Sequence, residues 1–179
     1  KKSFVKSGAK SKLIDNLGNA KLFFFVKKSD YPNTSELKVA INYLNKVKPE
    51  LIIAVGGGGV MDLAKCTNVL HDTKSINKNI NNLNSLIKKK YCEIICIPTT
   101  AGSGAEVTRH AVLYLNKVKY SIEHTDVYPD YFFLDPSLIL SLPKYYGASA
   151  SIDAISQSIE SILSIRSNKK SIEFASKAL

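Results

Sequence analysis

Leu51-Ile52-Ile53-Ala54-Val55 runs straight into Gly56-Gly57-Gly58-Gly59, and Glu93-Ile94-Ile95-Cys96-Ile97 runs straight into Pro98-Thr99-Thr100. A strand with one wet face alternates apolar and polar residues, so an unbroken apolar, β-branched run marks a strand covered on both faces. Helical spacing flanks these runs. Leu37, Val39, Ala40, Tyr43, Leu44 and Val47 predict a helix over residues 35–47, closed by Pro49, and residues 60–70 predict a second. Strands alternating with helices in this way imply an α/β fold, a parallel sheet with helices on both faces. Further strands are expected at residues 20–27, around Leu22-Phe23-Phe24-Phe25-Val26, and at residues 111–115 and 131–134. The Asn-, Lys- and Ser-rich residues 71–90 read as a solvated connector in which Leu83, Leu86 and Ile87 can dock a short helix. Residues 152–165 repeat apolar residues at helical spacing, and Ile172, Phe174, Ala175, Ala178 and Leu179 begin another helix.

Charge narrows the classes of partner. The chain of 179 residues carries a formal net charge of +10, yet Arg109 and Arg166 are its only arginines. Nucleic-acid surfaces mix arginine and aromatic residues among their lysines. Here the lysines are scattered, apart from Lys1-Lys2, Lys88-Lys89-Lys90 and Lys169-Lys170. A solvated lysine-rich surface is the plain reading; attraction for anionic ligands such as phosphates is the other. We therefore expect a small-molecule ligand, with neither nucleic acid nor membrane as partner, and a homo-oligomer is compatible with the sequence. No run approaches the ~18 apolar residues of a membrane span. Cys66, Cys92 and Cys96 form no metal-ligand pattern, and reduced thiols in a cytoplasm are the expectation. The opening residues lack an initiator Met and the apolar core of a signal peptide, and the last helical pattern stops without Gly or Pro. Both features predict a fragment of a longer chain.

The chemical signals lie where the strands end. Glycines between a buried strand and a helix let a ligand approach the backbone, and the amides of a helix start attract a pyrophosphate. Gly56-Gly57-Gly58-Gly59 fits the Gly-x-Gly-x-x-Gly pattern poorly, because position 61 is Met, and no P-loop Gly-Lys-Ser/Thr is present. A structural tight turn explains it equally. The second loop, Pro98-Thr99-Thr100-Ala101-Gly102-Ser103-Gly104-Ala105-Glu106-Val107-Thr108, is dense in glycine and hydroxyl groups. Two such loops at the carboxyl ends of neighbouring parallel strands make a nucleotide crevice. Asp153 and Gln157 stand at i, i+4 on one helix face, where they ligate a metal if aimed inward and form a surface pair if aimed outward.

Together these residues carry a resemblance. Gly56-Gly57-Gly58-Gly59-Val60-Met61-Asp62-Leu63-Ala64-Lys65 resembles the Gly-Gly-Gly-Ser-x-x-Asp-x-Ala-Lys motif of the iron-containing (group III) alcohol dehydrogenases. Residues 98–108 resemble that family's Pro-Thr-Thr-Ala-Gly-Thr-Gly-Ser-Glu-Val-Thr loop. Leu134-Asp135-Pro136-Ser137-Leu138 and Leu142-Pro143 resemble its lead into a helical domain, and Asp153-Ala154-Ile155-Ser156-Gln157-Ser158-Ile159-Glu160 stands where it has Asp-Ala-x-x-His-x-x-Glu. The resemblance implies the dehydroquinate synthase-like fold. Residues 1–147 would form the α/β dinucleotide-binding domain without its first strand, and residues 148–179 would begin an all-helical metal domain. Residues 1–9 would be the loop after the missing strand. Within the family, Lys2-Ser3-Phe4, Lys6-Ser7-Gly8-Ala9, Thr108-Arg109, Tyr120-Ser121-Ile122-Glu123-His124, Pro129-Asp130 and the Ser156-Gln157 pair resemble the phosphonoacetaldehyde reductases, which make 2-hydroxyethylphosphonate.

The resemblance implies a reduction of an aldehyde to a primary alcohol by NADH or NADPH. Gly57, Gly58 and Gly59 would hold the pyrophosphate; Thr99, Thr100, Ser103 and Lys119 would contact the nucleotide; Asn33 would lie near the adenosine. Asp62 would face the nicotinamide side of the cleft, although an acidic residue there also suits a helix N-terminus. A divalent metal, Fe²⁺ or Zn²⁺, would polarise the carbonyl. The family's ligands are one Asp and three His. Asp153 matches the Asp, Gln157 replaces the first His, and the other two would lie beyond Leu179; an amide oxygen is a poorer ligand for these metals than imidazole, which leaves a looser site, a different metal or a metal-free enzyme. Arg109 is the candidate for a substrate anion, with a surface ion pair as its alternative. His124 is a candidate proton relay. Lys1-Lys2, at the position that separates NAD from NADP, tolerates a 2′-phosphate without deciding the matter. Other readings are a different small aldehyde or alcohol substrate, a dehydroquinate synthase-type lyase, and a truncated, non-catalytic nucleotide-binding module.

Overall fold

A computed structural model describes residues 2–73, 76–140 and 142–179. Its frame is a parallel sheet of β1 (Leu51–Gly56), β2 (Glu93–Pro98) and β5 (Tyr131–Phe132), with β2 in the centre. β1 and β2 are in register from Leu51↔Glu93 to Gly56↔Pro98, so both glycine-bearing loops leave the same end of the sheet. β5 is short, pairing Tyr131 and Phe132 with Ile95 and Cys96.

Two helices form where the spacing predicts them. α3 (Thr34–Val47) starts at Asn33, whose side chain accepts from Glu36 N–H, and α4 (Gly58–Val69) follows β1 after the single residue Gly57. Met61 of α4 packs on Ala54, Ile94, Cys96 and Ala105, closing one face of the sheet. The other side of α4 joins Leu37 and Ile41 of α3 in a larger core. Burial of such side chains contributes ~1.5–3 kcal/mol each, so this cluster holds α4 firmly in place.

The elements before α3 depart from expectation. Where a loop is expected, α1 (Lys2–Lys6) and the start of α2 (Ala9–Leu17) stand instead, with a turn at Ser7-Gly8 between them. Residues 20–27 form no strand, and Phe23, Phe24 and Phe25 are 44%, 46% and 39% exposed. The sheets of the described residues are built from β1, β2 and β5 and from a separate hairpin, and apolar sequence outside a ladder does not make a strand. α2 covers the second face of the sheet only in part, leaving a cavity of about 370 Å³ bordered by Ala9, Leu13, Val55, Ile97, Phe133 and Leu138.

Residues 110–123 also differ. β3 (His110–Leu115) is outside the parallel sheet and pairs antiparallel with β4 (Val118–Glu123). Asn116 and Lys117 join them with φ 50° and 67°, the left-handed pair of a two-residue type I′ turn. Ala111, Leu113 and Ile122 bury the inner face of this hairpin against α4. The connector holds a 3-10 helix, Ile76–Leu86, that drives Ile76, Ile80 and Leu83 into the same core, with Ile87 just beyond it. Asn68 fixes its far end, donating to Cys92 O at 2.9 Å and accepting from Tyr91 and Cys92 N–H at 3.1 Å.

α5 (Lys144–Leu163) and α6 (Lys169–Ala178) pack on each other. Most of their apolar side chains face outward, including Ile152, Ile155, Ile159 and Leu163. No helix of the described residues is long and apolar enough to cross a membrane.

Candidate functional site

β1 and β2 are in register, so their loops stand side by side. Thr99 N–H donates to Gly56 O at 3.0 Å, which sets the second loop against the first. The glycines leave room that no other residue would. A Cβ on Gly57 would lie 3.1 Å from Thr100 Oγ1, and one on Gly58 would lie 2.8 Å from Ser103 Oγ. Gly59 faces Pro32, whose Cδ would be 3.4 Å from its Cβ. Hydroxyl groups of one loop therefore meet bare backbone of the other. Gly57 caps α4 with no side-chain partner, which leaves the first amides of the helix open to an anion. The loops touch where Gly57 and Gly58 meet Thr100 and Ser103, and beside that contact the uncapped amides of α4 and the hydroxyl groups have the polarity to take a pyrophosphate.

Asn33 lies next to this crevice through Pro32, but its side chain is engaged in capping α3. Tyr114 N–H donates to Pro32 O at 2.8 Å, tying the Asn33 turn to the hairpin. Asp62 is on the first turns of α4, half-buried beside β3. Burial raises its carboxyl to about 6, against the opposing pull of Lys65, the Val112 amide and Lys119. Lys119, on β4, is exposed and near enough to Asp62 to favour its charged form. The structure thus brings Asp62, Lys119 and the two loops to one end of the molecule.

Arg109 and His124 stand at the open end of the hairpin, joined by His124 N–H donating to Arg109 O at 3.2 Å. Arg109 is paired with Glu123 at 2.7 Å, both side chains about half exposed, so its guanidinium makes the surface ion pair. His124 Nδ1 accepts from Asp126 N–H at 3.2 Å and lies 3.8 Å from the Asp126 carboxylate. Asp153 and Gln157 are both exposed on α5. They share a helix face with Ala150, at i+3 and i+7 from it, and the Ala150 carbonyl would lie 2.4 Å from a Cβ on Gly102. The pair therefore projects from the stripe that packs on the hydroxyl-rich loop. No group of three His, Cys, Asp or Glu able to hold a metal occurs among the described residues. Asp153 and Gln157 supply two oxygen donors on one helix face, and the amide is a poorer donor to Fe²⁺ or Zn²⁺ than imidazole. Lys1 lies outside the described residues, as does the side chain of Lys2.

Sequence reasoning gave Lys65 and Gly102 no role. Lys65 is 1% exposed and donates to Ala105 O, Thr108 O and His110 O at 2.7–2.8 Å. The available signal was its place as the last residue of the Gly56–Lys65 motif.

Comparisons with known proteins agree on one family. Residues 1–136 match the model of the iron-containing alcohol dehydrogenase family. Long-chain-alcohol dehydrogenase 1 of Geobacillus thermodenitrificans is 36% identical over 135 residues, covering 74% of this chain and 34% of that protein. The NADH-dependent butanol dehydrogenase A of Thermotoga maritima superposes with a TM-score of 0.84 at 26% identity, over 98% of this chain and 45% of its own. Sulfoacetaldehyde reductase of Bifidobacterium kashiwanohense, solved with NAD⁺, superposes with a TM-score of 0.77 at 33% identity, over 90% of this chain and 43% of its own. The chain spans less than half the length of each of these relatives.

Proposed function

The chain belongs to the iron-containing alcohol dehydrogenase family, and from that premise we propose that its residues 1–147 are the dinucleotide-binding domain of an NAD(P)H-dependent aldehyde reductase. The observation that carries this reading is the uncapped start of α4, where the bare backbone of Gly57 and Gly58 stands directly against the hydroxyls of Thr100 and Ser103. Residues 148–179 would begin the helical domain that closes the cleft.

A reduced nicotinamide supplies a hydride to the carbonyl carbon of an aldehyde, giving a primary alcohol. The residues of this chain bind and orient. The amides of Gly57, Gly58 and Gly59 hold the pyrophosphate, helped by the positive end of α4. Thr99, Thr100 and Ser103 offer hydroxyls to the nucleotide, Lys119 offers a charge, and Asn33 shapes the adenosine end through its turn. Asp62, its carboxyl raised to about 6 by burial, would face the nicotinamide half. His124 can pass a proton to the nascent alkoxide. A divalent metal would polarise the carbonyl, and Asp153 with Gln157 would supply two of its oxygen donors from α5.

For the substrate we propose phosphonoacetaldehyde. Support comes from the branch motifs around Arg109, Glu123 and Gln157, and from a relative named for sulfoacetaldehyde, another two-carbon aldehyde carrying an anion. Arg109 would meet the phosphonate by exchanging Glu123 for it, at little cost because a half-exposed pair contributes only ~0–1 kcal/mol. The test has two stages. NADH and NADPH are titrated into this chain, where binding without appreciable turnover is expected. The complete protein is then offered phosphonoacetaldehyde, sulfoacetaldehyde and propanal with each cofactor. Strong preference for phosphonoacetaldehyde is expected, with KM rising at least tenfold in Arg109→Ala. Equal turnover of propanal would return the substrate to another small aldehyde, and an unchanged KM would remove Arg109 from the site.

A further inference from the structure

Lys65 is the largest fully buried side chain among the described residues, and the chemistry above gives it nothing to do. A buried ammonium is costly unless each proton finds an acceptor. Here the match is complete: its three donors meet Ala105 O at 2.8 Å, Thr108 O at 2.7 Å and His110 O at 2.7 Å. These carbonyls belong to the end of the hydroxyl-rich loop and the first residue of β3. Lys65 itself belongs to α4, whose first turn carries Gly58 and Gly59. One side chain therefore joins the two walls of the crevice from behind.

We propose that Lys65 is a positioning residue that sets the width of the nucleotide crevice, by tying residues 105–110 to the helix that carries the pyrophosphate-binding glycines. The inference rests on the dinucleotide reading above. The spacing leaves little slack, since a Cβ on Gly58 already comes within 2.8 Å of Ser103 Oγ and 2.9 Å of Ser103 Cβ. A loop released from Lys65 would carry Thr100 and Ser103 off the glycine wall. The charged and titratable groups around the ammonium are Asp62 and Cys66 on α4, Cys96 on β2 and Glu106 in the loop itself. Burial draws Lys65 below its ordinary value, and the Asp62 carboxylate is the first influence opposing that.

The test compares the unmodified chain with Lys65→Gln, which keeps two donors and loses the charge, and with Lys65→Met, which keeps neither. Amide exchange and NADH affinity are read together. Lys65→Gln is expected to speed exchange over residues 101–109 and to raise the Kd for NADH by about tenfold, with β1 and β2 amides unchanged. Lys65→Met is expected to do both more strongly. A variant that melts lower but keeps native loop exchange and native NADH affinity would make Lys65 a mere core brace and overturn the proposal. If neither variant folds, the unmodified chain decides. Amides 101–109 protected without nucleotide support the anchor; free exchange until NADH binds overturns it. A chain that binds neither NADH nor NADPH, yet whose loop loosens in Lys65→Gln, would remove the dinucleotide reading while the anchor stands.

Discussion

Asp62 carries the clearest signature of strain at the level of single residues. Its carboxyl sits near 6 in the folded chain, against an ordinary 3.8. Above pH 6 both folded and unfolded chains have lost the proton, and below pH 4 both hold it. Between these values the folded chain holds more protons, so stability falls as pH rises through this window and then stays level. Two units correspond to about 3 kcal/mol. Asp62→Asn is therefore expected to unfold in urea with up to about 3 kcal/mol more stability than the parent at pH 8, and with no gain at pH 4. Equal midpoints at both pH values would show that burial does not hold this carboxyl up. Such a residue, costly to the fold and placed at the crevice, is what a functional position looks like in energetic terms.

At the scale of elements, the glycines divide by what they meet. A methyl on Gly58 presses on a side chain, that of Ser103, whereas a methyl on Gly102 presses on backbone, the Ala150 carbonyl of α5 at 2.4 Å. The first clash can be relieved and the second cannot. Gly58→Ala is expected to weaken NADH at least tenfold, and Ser103→Gly in the same chain to recover part of that loss. Gly102→Ala must displace α5 from the loop and is expected to cost about 1–3 kcal/mol in urea unfolding. A native midpoint for Gly102→Ala would mean that α5 does not rest on the loop.

The same elements mark how far the sequence could be read. β1, β2, α3 and α4 were legible because burial on both faces, or on one helical face, leaves a pattern in consecutive residues. The strand expected around Phe23-Phe24-Phe25 was not realised, since a ladder needs a partner that no local pattern specifies. The β3–β4 pairing was hidden because its turn is Asn116-Lys117, without the glycine that usually advertises a hairpin. At the site, the facing loops were legible as composition. Lys65 was not given a role, because its three acceptors are backbone carbonyls, which any sequence supplies.

For the whole molecule, the charge of +10 resides almost wholly in lysine and acts through solvent. NADH is an anion, and its attraction to such a surface is screened by salt. Its Kd is expected to rise severalfold between about 50 and about 500 mM KCl, with a smaller change in Lys119→Ala. A salt-independent Kd would confine the attraction to the crevice itself. Across this molecule, where Lys119 stands relative to Asp62 is governed by a turn of two residues. The left-handed pair Asn116-Lys117 pairs Tyr114 with Lys119 and leaves Ala111, Leu113 and Ile122 inward. The turn works as a counter: one extra residue there would rotate every position of β4 by half a period. Ile122 would then be turned out to water, and Lys119 would be driven toward the core and away from any phosphate.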